Sequence, residues 1–514
     1  MTGRAPELRE CDVCVMVEGA YPYVTGGVAS WLQELIISLP EVRFSIVAIK
    51  ANASDQLWRT VPPDNVVEIV EAPLSREWVS RSRCRPAVAT RIGKLLMAFL
   101  HDGRFDQFQE LAKCLADLPA NVSAQSLMAT PEVFAILSDH YSANLPTSSF
   151  HHYFWAMQIL LGGLLAVFEA PLPRAKVYHT LSTGYAGLLA ARAAIETGRP
   201  AFVTEHGIYL LERKIEIMMV DWLGDQTESG LAFERDCTDL TDLWSRAFES
   251  YSRACYDACD PIVSLYGANR EVQKRLGASP ERLRVIPNGI RPERFAQVAR
   301  HTDPDHPLIA LIGRVVPIKD IKTFIRAAAL IHAQAPEVRF AVLGPEDEDA
   351  GYSDECKGLV EQLGLGEVFA FAGRVDVVEW LPRIDLLVLT SLSEAQPLVI
   401  LEAGACGIPA VAPDVGSCRE MLEGSGGPVR AGGIITALVD PDATASAILR
   451  LVRQPELRTG MGKVLQDRVL TSYDWAGIVE QYGKLYSELA EKTTTTSPLS
   501  QHTISSSSPG GFSR

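Results

Sequence analysis

Short apolar runs alternate with stretches of helical periodicity in two parts of the chain. In the first part, residues 28–39 have apolar positions at helical spacing, and strands are predicted at 12–17, 44–49, 177–180, 201–205, 261–265 and 284–287. In the second part, strands are predicted at 308–312, 339–343, 368–372, 386–389 and 410–412. Because strands that alternate with helices form parallel sheets, the pattern predicts an α/β protein.

The alternation is interrupted within the first part. From about residue 62 to 172, helical stretches dominate and predict a helical insertion. A length of 514 residues is too great for a single core. The polar linker near 288–306 therefore divides the chain into a first domain at 1–297 and a second at 298–472. An amphipathic stretch at 473–492 predicts a terminal helix.

Composition and charge limit the classes of partner that the protein can bind and the cellular compartment in which we expect it. The net charge of −15 leaves no basic footprint for nucleic acid. The N-terminus has no apolar core for a signal peptide, and the longest apolar run, 154–168, is shorter than a membrane span. Ten scattered cysteines predict reduced thiols, because Cys11 and Cys14 have no second pair at metal-binding spacing. We expect a cytoplasmic protein whose Ser/Thr-rich residues 493–514 are disordered.

The stretch 386–420 contains two carboxylates at a spacing of eight. Glu394 lies in the loop after a predicted strand, and Glu402 lies within a helix that starts near Pro397. In open α/β sheets, ligands bind beyond the carboxyl ends of the strands, and a helix N-terminus there favours phosphate. Two carboxylates beside such a site would accept hydrogen bonds from the sugar and ribose of a sugar nucleotide. The same spacing also fits two solvated glutamates.

Two loops of the first part contain further candidates. Gly26 and Gly27 lie at a strand-to-helix junction, where adjacent glycines let the backbone approach a phosphate or sugar closely. A flexible loop without a ligand fits them as well. His206 follows the strand at 201–205 and could donate to a sugar hydroxyl or polarise a phosphate. A packed loop histidine is the alternative.

Arg314 and Lys319 are the corresponding candidates in the second part. They lie in a strand-to-helix loop, where paired cations meet phosphates, Arg314 as a planar fork and Lys319 as a point charge. The charged run at 212–214 has a simpler interpretation, because it fits a solvated helix face.

These motifs together resemble those of the retaining glycosyltransferases of the large bacterial family 4, which have the GT-B fold. The resemblance is carried by EGAYPYVTGGVASW, TEHGIY, VIPNGI, IGRVVPIKD and EAQPLVILE. Within that family, SEAQPLVILEAGACGIP, LIGRVVPIKDIKTFIRA and LLERKIEIMMVDW are similar to the PelF-like subgroup, which acts in the cytosol in Pel exopolysaccharide synthesis. The resemblance covers about residues 10–490. It implies two Rossmann-like, doubly wound domains that face each other across a cleft, with the terminal helix crossing back to the first domain.

The resemblance also implies a role for each candidate residue. Arg314 and Lys319 would neutralise the donor diphosphate in the transition state, Glu394 would face the donor sugar, and Glu402 would bind the ribose. His206 would lie near the sugar and the β-phosphate. The remaining residues expected at the donor are Gly26, Gly27, Ala395, Gln396, Pro397 and Leu398.

The implied reaction moves a hexose from a UDP-sugar to a glycan acceptor, with retained anomeric configuration, in exopolysaccharide biosynthesis. The donor would be UDP-glucose or a UDP-N-acetylhexosamine. No metal or other cofactor is expected, because family members generally need none and no D-x-D-like motif lies at a suitable position. Expected partners are inner-membrane polysaccharide synthase subunits, with the enzyme in the cytoplasm or peripheral at the inner face of the membrane. Two alternatives stay open: a sugar-nucleotide epimerase of the same fold and a non-catalytic component of a synthase complex.

Overall fold

The structure is a computed structural model, and the residues it describes are 11–19, 21–24, 26–52, 57–75, 84–119, 122–218, 240–295, 300–301, 303–424 and 430–495. Residues 493–495 of the tail predicted to be disordered belong instead to the last described helix, and the rest of that tail, from 496 onward, lies outside the described residues.

The first sheet is parallel and contains seven strands among the described residues, in the order β3-β2-β1-β4-β5-β6-β7. Its order reverses direction between β1 and β4, which is the switch point where open α/β sheets bind ligands. The strands are β1 (Cys11–Glu18), β2 (Phe44–Asn52), β3 (Val66–Ser75), β4 (Ala175–Thr180), β5 (Ala201–Glu205), β6 (Ile262–Ser264) and β7 (Leu283–Val285).

The second sheet is also parallel, and its six described strands have the order β10-β9-β8-β11-β12-β13. The switch point lies between β8 and β11, so the loops after these two strands are neighbours. The strands are β8 (Leu308–Ile312), β9 (Arg339–Leu343), β10 (Phe369–Phe371), β11 (Leu386–Val388), β12 (Ala410–Pro413) and β13 (Gly433–Thr436).

Helices cover the faces of both sheets, as buried parallel strands require. Those associated with the first sheet are α1 (Gly27–Ser38), α2 (Pro86–Asp102), α3 (Phe105–Ala116), α4 (Pro131–Asn144), α5 (Phe150–Glu169), α6 (Tyr185–Thr197), α7 (Tyr209–Met218), α8 (Leu240–Ala258) and α9 (Asn269–Arg275). Those associated with the second are α10 (Ile321–His332), α11 (Ala350–Gln362), α12 (Val377–Trp380), α13 (Leu398–Ala405), α14 (Cys418–Glu423), α15 (Pro441–Arg453) and α16 (Pro455–Ser472). The last described helix is α17 (Trp475–Thr495).

The interval from 62 to 172, predicted to be largely helical, begins with the strand β3. This strand pairs with β2 at the edge of the first sheet. Its sequence, VVEIVEAPLS, mixes valines with Glu68 and Glu71 because an edge strand is only partly covered. The helices α2 to α5 follow it, and they share one apolar core with α6 and α8.

Helix α17 belongs to the core of the first sheet although it follows the second. Ile478, Tyr482 and Tyr486 pack with residues of β1, β2 and α1 in one buried cluster. The chain therefore crosses between the sheets twice, near Ile290 and near Tyr473. The sequence-predicted domain limits at 297 and 472 lie beside these crossings and stay predictions.

One described helix, α5, is long and apolar enough to cross a membrane by length and composition alone. In the structure, 56% of that helix window is buried inside the protein. Its buried residues, such as Leu160 and Leu164, lie in the core of the first sheet.

Candidate active site

Arg314 and Lys319 lie in the loop after β8, and they contact different carboxylates. Lys319 Nζ contacts the carboxylate of Glu394, and both side chains are mostly buried, with 21% and 12% exposed. Arg314 Nη1 lies 2.6 Å from Oε2 of Glu348, and both of these side chains are about half exposed. Lys319 and Glu394 thus form one unit at the switch point. Arg314 lies at its rim, where an exposed ion pair worth about 0–1 kcal/mol can exchange for a ligand.

The loop between β11 and α13 is tied to the loop of Lys319. Thr390 Oγ1 donates a hydrogen bond of 3.0 Å to the carbonyl oxygen of Lys319. Ser391 Oγ donates one of 2.6 Å to Glu394 Oε1, the same oxygen that contacts Lys319. These bonds hold the Glu394 carboxylate in one orientation without a ligand.

Gly416 allows a second loop to press against Glu394. Its φ of +53° lies in the left-handed region, and a Cβ there would lie 2.1 Å from the carbonyl oxygen of Glu394. Ser417 N donates to the carbonyl oxygen of Ala395 at 2.9 Å on the same contact. Only glycine fits this position, so the loop after β12 supports the backbone that presents Glu394.

The residues between the two glutamates have distinct surroundings. Ala395 lines a pocket of the first domain. Gln396 has its amide engaged, because its Oε1 accepts from Asn288 N at 2.7 Å and its Nε2 donates to Asn288 O at 3.3 Å. Pro397 has an extended backbone at the start of α13, and Leu398 is the first residue of that helix. The predicted donor contacts of these four residues stay predictions.

Glu402 lies just over one turn into α13, apart from the Lys319 unit. Burial raises the pKa of its carboxyl, and the guanidinium of Arg294 opposes that rise. Since desolvation disfavours the charged form, Glu402 is suited to accept hydrogen bonds from uncharged hydroxyls.

His206 follows β5 and faces the cleft from the first domain. Only 7% of it is exposed, and the ring of Trp31 lies edge-on with centroids 4.5 Å apart. Its Nε2 atom is buried and has no hydrogen-bond partner among the described residues. Burial lowers the pKa of His206 to about 3, so the imidazole is neutral at physiological pH.

The glycines near the cleft in the first domain differ in how closely other atoms approach them. A Cβ at Gly207 would lie 2.0 Å from Glu212 Oε1, and 3.6 Å from the Cβ of Ala395 in the second domain. The absence of a Cβ at Gly207 therefore leaves room for the Glu212 side chain, and the loop of His206 lies beside the loop of Glu394. Gly26 and Gly27 are exposed at the start of α1, and a Cβ at either would meet nothing within 4 Å.

A pocket of about 410 Å³ lies at the carboxyl edge of the first sheet. Its wall includes His206 and Gly207 from the first domain and Ala395 from the second. A smaller pocket of about 210 Å³ joins Gly207 and Glu212 to Glu394 across the cleft. The structure thus brings the loop of His206 and the Lys319–Glu394 unit to one cleft, whereas Gly26 and Gly27 line neither of these two pockets.

Four charged lining residues of the larger pocket were not predicted from the sequence. Glu18 and Lys50 lie at the carboxyl ends of β1 and β2, and Glu212 and Arg213 lie on α7. The rule that ligands bind beyond strand ends could have selected Glu18 and Lys50. The run 212–214, interpreted as solvated, contributes two residues to the pocket wall.

No group of three or more His, Cys, Asp or Glu side chains is placed to hold a metal ion in the described part of the chain.

Comparisons with known proteins place this geometry in a family. The family described as "Domain of unknown function (DUF3492)" matches residues 11–281, more than half of the chain. The family described as "Glycosyl transferases group 1" matches residues 306–454, which contain the Lys319–Glu394 unit. The chain is 28% identical over 252 residues to D-inositol 3-phosphate glycosyltransferase 2 of Catenulispora acidiphila, covering 46% of this chain and 57% of that protein. The chain therefore spans little more than half of that relative's length.

Solved structures of low sequence identity share the whole architecture. Sucrose-phosphate synthase from Thermosynechococcus elongatus aligns over 94% of this chain and 100% of its own, with a TM-score of 0.58 and 17% identity. Anabaena Alr3699/HepE in complex with UDP-glucose aligns over 93% of this chain and 100% of its own, with a TM-score of 0.56 and 14% identity. The predicted GT-B fold, with two Rossmann-like domains, is confirmed. The chain belongs to the family described as a domain of unknown function, DUF3492.

Proposed function

We propose that the protein is a retaining glycosyltransferase that moves a hexose from a UDP-sugar to a glycan acceptor. The observation that supports this most is the contact between Lys319 and Glu394 at the switch point of the second sheet, opposite the loop of His206. A cation and a carboxylate held together there suit a diphosphate and the hydroxyls of a sugar, respectively.

The reaction exchanges one bond at the anomeric carbon for another on the same face. The bond to the UDP oxygen breaks, and its electron pair leaves with the diphosphate, beside Lys319 and Arg314. The bond to the acceptor oxygen forms, and the hydroxyl proton leaves with the phosphate. Lys319 would release Glu394 to the sugar as it takes the phosphate, and Arg314 would exchange Glu348 for the same group. Fixed cations at a leaving group can supply several kcal/mol of transition-state stabilisation.

The donor is proposed to be a UDP-sugar, either UDP-glucose or a UDP-N-acetylhexosamine. Support comes from the shared fold of a protein solved in complex with UDP-glucose. We propose that Glu402 binds the ribose, and that Gly26, Gly27 and residues 395–398 complete the donor site. His206 would act as a neutral hydrogen-bond donor to the sugar or β-phosphate.

We further propose family 4 membership and a PelF-like role in exopolysaccharide biosynthesis. The enzyme would act in the cytoplasm or at the inner face of the membrane, beside polysaccharide synthase subunits. The motifs of both domains support this assignment. The name of the Catenulispora acidiphila relative indicates a phosphorylated acceptor, D-inositol 3-phosphate, so the acceptor class is a separate question.

The test is UDP release from a set of UDP-sugars, with and without oligosaccharide acceptors. A transferase releases UDP in step with product on the acceptor, whereas an epimerase converts the donor without an acceptor, and a non-catalytic component does neither. We expect Lys319→Ala to lower kcat by about 100-fold or more. Lys322→Ala is the matched control, since Lys322 lies three residues away on α10 and pairs with Glu355 instead. Equal activity of the two variants would contradict the proposed site.

A further inference from the structure

The 410 Å³ pocket lies beside the proposed donor site but is built mainly from the first domain. The ends of β1, β2 and β5 form one side of it, through Glu18, Lys50 and His206. Ala395, the neighbour of Glu394, closes it from the second domain. Its volume falls in the range of small-ligand pockets, and its position makes it the place where an acceptor would meet the donor sugar.

The two cations of this pocket, Lys50 and Arg213, each lie near a carboxylate and an aromatic ring. The Lys50 side chain is only 4% exposed, with its Nζ 3.1 Å from Glu71 Oε2 and 4.8 Å from the ring centre of Tyr23. Burial raises the pKa of the Glu18 carboxyl, and the guanidinium of Arg213, which lies 5.2 Å from the ring centre of Tyr209, is one of the groups that oppose that rise. Separating Lys50 from Glu71 would leave a buried ammonium without its carboxylate, which is costly, whereas both side chains of the Arg314 pair are about half exposed.

Glu18 is held in place by fixed donors. Tyr209 Oη donates to its Oε1 at 2.7 Å, and Ala186 N donates to its Oε2 at 3.4 Å. Tyr209 is itself fixed, because its backbone N donates to Glu205 Oε1 at 3.2 Å. A carboxylate oriented in this way can accept from a ligand hydroxyl without reorganisation.

Two other lining residues have polar atoms with no partner among the described residues. They are the Nε2 atom of His206 and the Oγ atom of Ser182, and both atoms are buried. A neutral imidazole and a hydroxyl can each donate or accept one hydrogen bond. Buried polar groups are normally satisfied, so these atoms indicate a ligand that brings its own donors and acceptors.

We propose that this pocket binds an uncharged sugar unit of the acceptor, and that Glu18 is the residue that excludes phosphorylated or carboxylated units. This rests on the proposed glycosyltransferase function. Sugar hydroxyls can donate to Glu18 and satisfy His206 and Ser182. A phosphate in the same place would face the carboxylate of Glu18, while Lys50 stays beside Glu71. Two like charges would then be in contact, which is unfavourable.

The test compares matched acceptors with the full-length enzyme and the donor that gives the most UDP release. Glucose, mannose, N-acetylglucosamine and cellobiose are each offered beside the corresponding 6-phosphate, and products are counted by mass spectrometry. We expect the uncharged member of a pair to react at least tenfold faster. Preference for a phosphorylated member, or no product with any uncharged one, would overturn the proposal.

A variant then assigns the discrimination to Glu18. We expect Glu18→Gln to reduce the ratio of uncharged to phosphorylated product by about tenfold, whereas Glu41→Gln, an exposed control outside the pocket, keeps the ratio. A ratio measured within one variant is insensitive to a general loss of folded enzyme. If Glu18→Gln does not fold, the wild-type comparison alone still decides the acceptor class.

UDP binding by calorimetry separates this inference from the proposed function. If the enzyme binds UDP and uses the donor with phosphorylated acceptors, the glycosyltransferase stands and the pocket inference fails. If it neither binds UDP nor uses any donor, the proposed function fails and the inference fails with it.

Discussion

Glu394 and Glu402 are eight positions apart, but their surroundings suit different partners. Glu394 contacts Lys319 and accepts from Ser391, so its charge is held at a site that also attracts phosphate. Glu402 lies in α13, where burial raises the pKa of its carboxyl and only Arg294 opposes that rise. The first arrangement suits a group at the reacting sugar. The second suits a hydroxyl contact that is the same before and during the reaction.

We therefore expect Glu402→Gln to weaken donor binding more than catalysis. A hydrogen bond to a charged group is worth about 1.5–3 kcal/mol, which corresponds to an increase in KM of about 10- to 100-fold. A contact made equally in the ground and transition states changes KM and leaves kcat nearly constant. Steady-state kinetics over a range of UDP-sugar concentrations measure both. A large fall in kcat at unchanged KM would contradict the ribose assignment.

The buried His206 gives a pH dependence of stability with a definite sign. Its pKa is about 3 in the folded protein and about 6.5 in an unfolded chain. The folded state therefore binds fewer protons, and stability that is complete above pH 6.5 is lost as the pH falls towards 3. The loss is about 1.4 kcal/mol per pH unit. Between pH 6 and 5, we expect the wild type to lose about that much stability relative to His206→Gln in chemical denaturation.

The comparison isolates His206 because other shifted groups are present in both proteins. His179, whose pKa is lowered first by burial and then by His206, is one of them. Glu18 and Glu205, whose pKa values burial raises, have the opposite sign in the window above pH 4.5 and also cancel. An exposed histidine of the linker serves as the control in His306→Gln. Parallel stability curves for the wild type and His206→Gln would refute the buried, neutral state.

Individual site residues could be predicted from the sequence where their position in a loop after a strand was sufficient to select them. Sequence reasoning selected Lys319, Glu394 and His206 from their places after strands, and the structure brings their loops to one cleft. It could not predict that Arg314 contacts Glu348, because that contact depends on how the loop after β9 folds back. Nor could it find Glu18, whose carboxylate is fixed by Tyr209, 191 residues away in the chain.

At the scale of elements, predicted strands match the structure where both faces are covered. β5, β8 and β9 have the predicted limits because buried parallel strands have nearly continuous apolar sequences. β3 was missed because this edge strand carries Glu68 and Glu71 among its valines. Helix α10 begins at Ile321, directly after Asp320, whose Oδ1 accepts from Thr323 N at 3.3 Å. The hydrophobic pattern therefore predicts strands best where both faces of the strand are buried.

Alanine substitutions at two glycines can separate the effect of backbone strain from the effect of displacing the loop that supports Glu394. Gly416→Ala places a Cβ 2.1 Å from the carbonyl oxygen of Glu394, so that loop must shift. Gly407→Ala is the matched control, because its φ is also positive but its Cβ would meet nothing nearer than 3.8 Å. We expect both variants to lose about 1–2 kcal/mol from left-handed strain. Thermal denaturation checks that loss.

Only Gly416→Ala should also lose catalysis. A displacement of about 1 Å in a positioning loop can cost about 100-fold, so we expect that loss in kcat/KM for Gly416→Ala. Gly407→Ala should remain within about twofold of wild type. Equal kcat/KM in the two variants would show that the backbone of Glu394 tolerates the shift.

At the scale of the whole molecule, the two domains are joined by a double crossing and by contacts across the cleft. Ile290 N donates to Tyr473 O at 3.0 Å, and Trp475 N donates to Ile290 O at 2.9 Å, so the crossing segments run side by side. Trp475 Nε1 also donates to Ser38 Oγ at 3.0 Å, which ties the start of α17 to α1. A paired crossing of this kind can act as a hinge, because few residues need to change conformation.

Across the cleft, the domains meet through small polar contacts. Gly267 N donates to Glu420 Oε2 at 2.8 Å in an exposed position. Such a bond is worth about 1 kcal/mol, so a bound donor that contacts both domains can decide whether the cleft is closed. Closure would also exclude water, which competes with the acceptor for the anomeric carbon.

We expect the radius of gyration, measured by small-angle scattering, to decrease when UDP-sugar saturates the enzyme. Lys319 and Glu394 lie in the second domain and His206 in the first, so neither half alone surrounds the reacting carbon. Glu420→Ala should raise the radius of the unliganded protein, since it removes a contact that holds the cleft closed. Glu423→Ala is the control, because Glu423 pairs with Arg419 within α14 and does not cross the cleft. If the radius is unchanged at saturating donor, in a sample whose activity is confirmed, the domains are fixed in one orientation and closure is not part of the reaction.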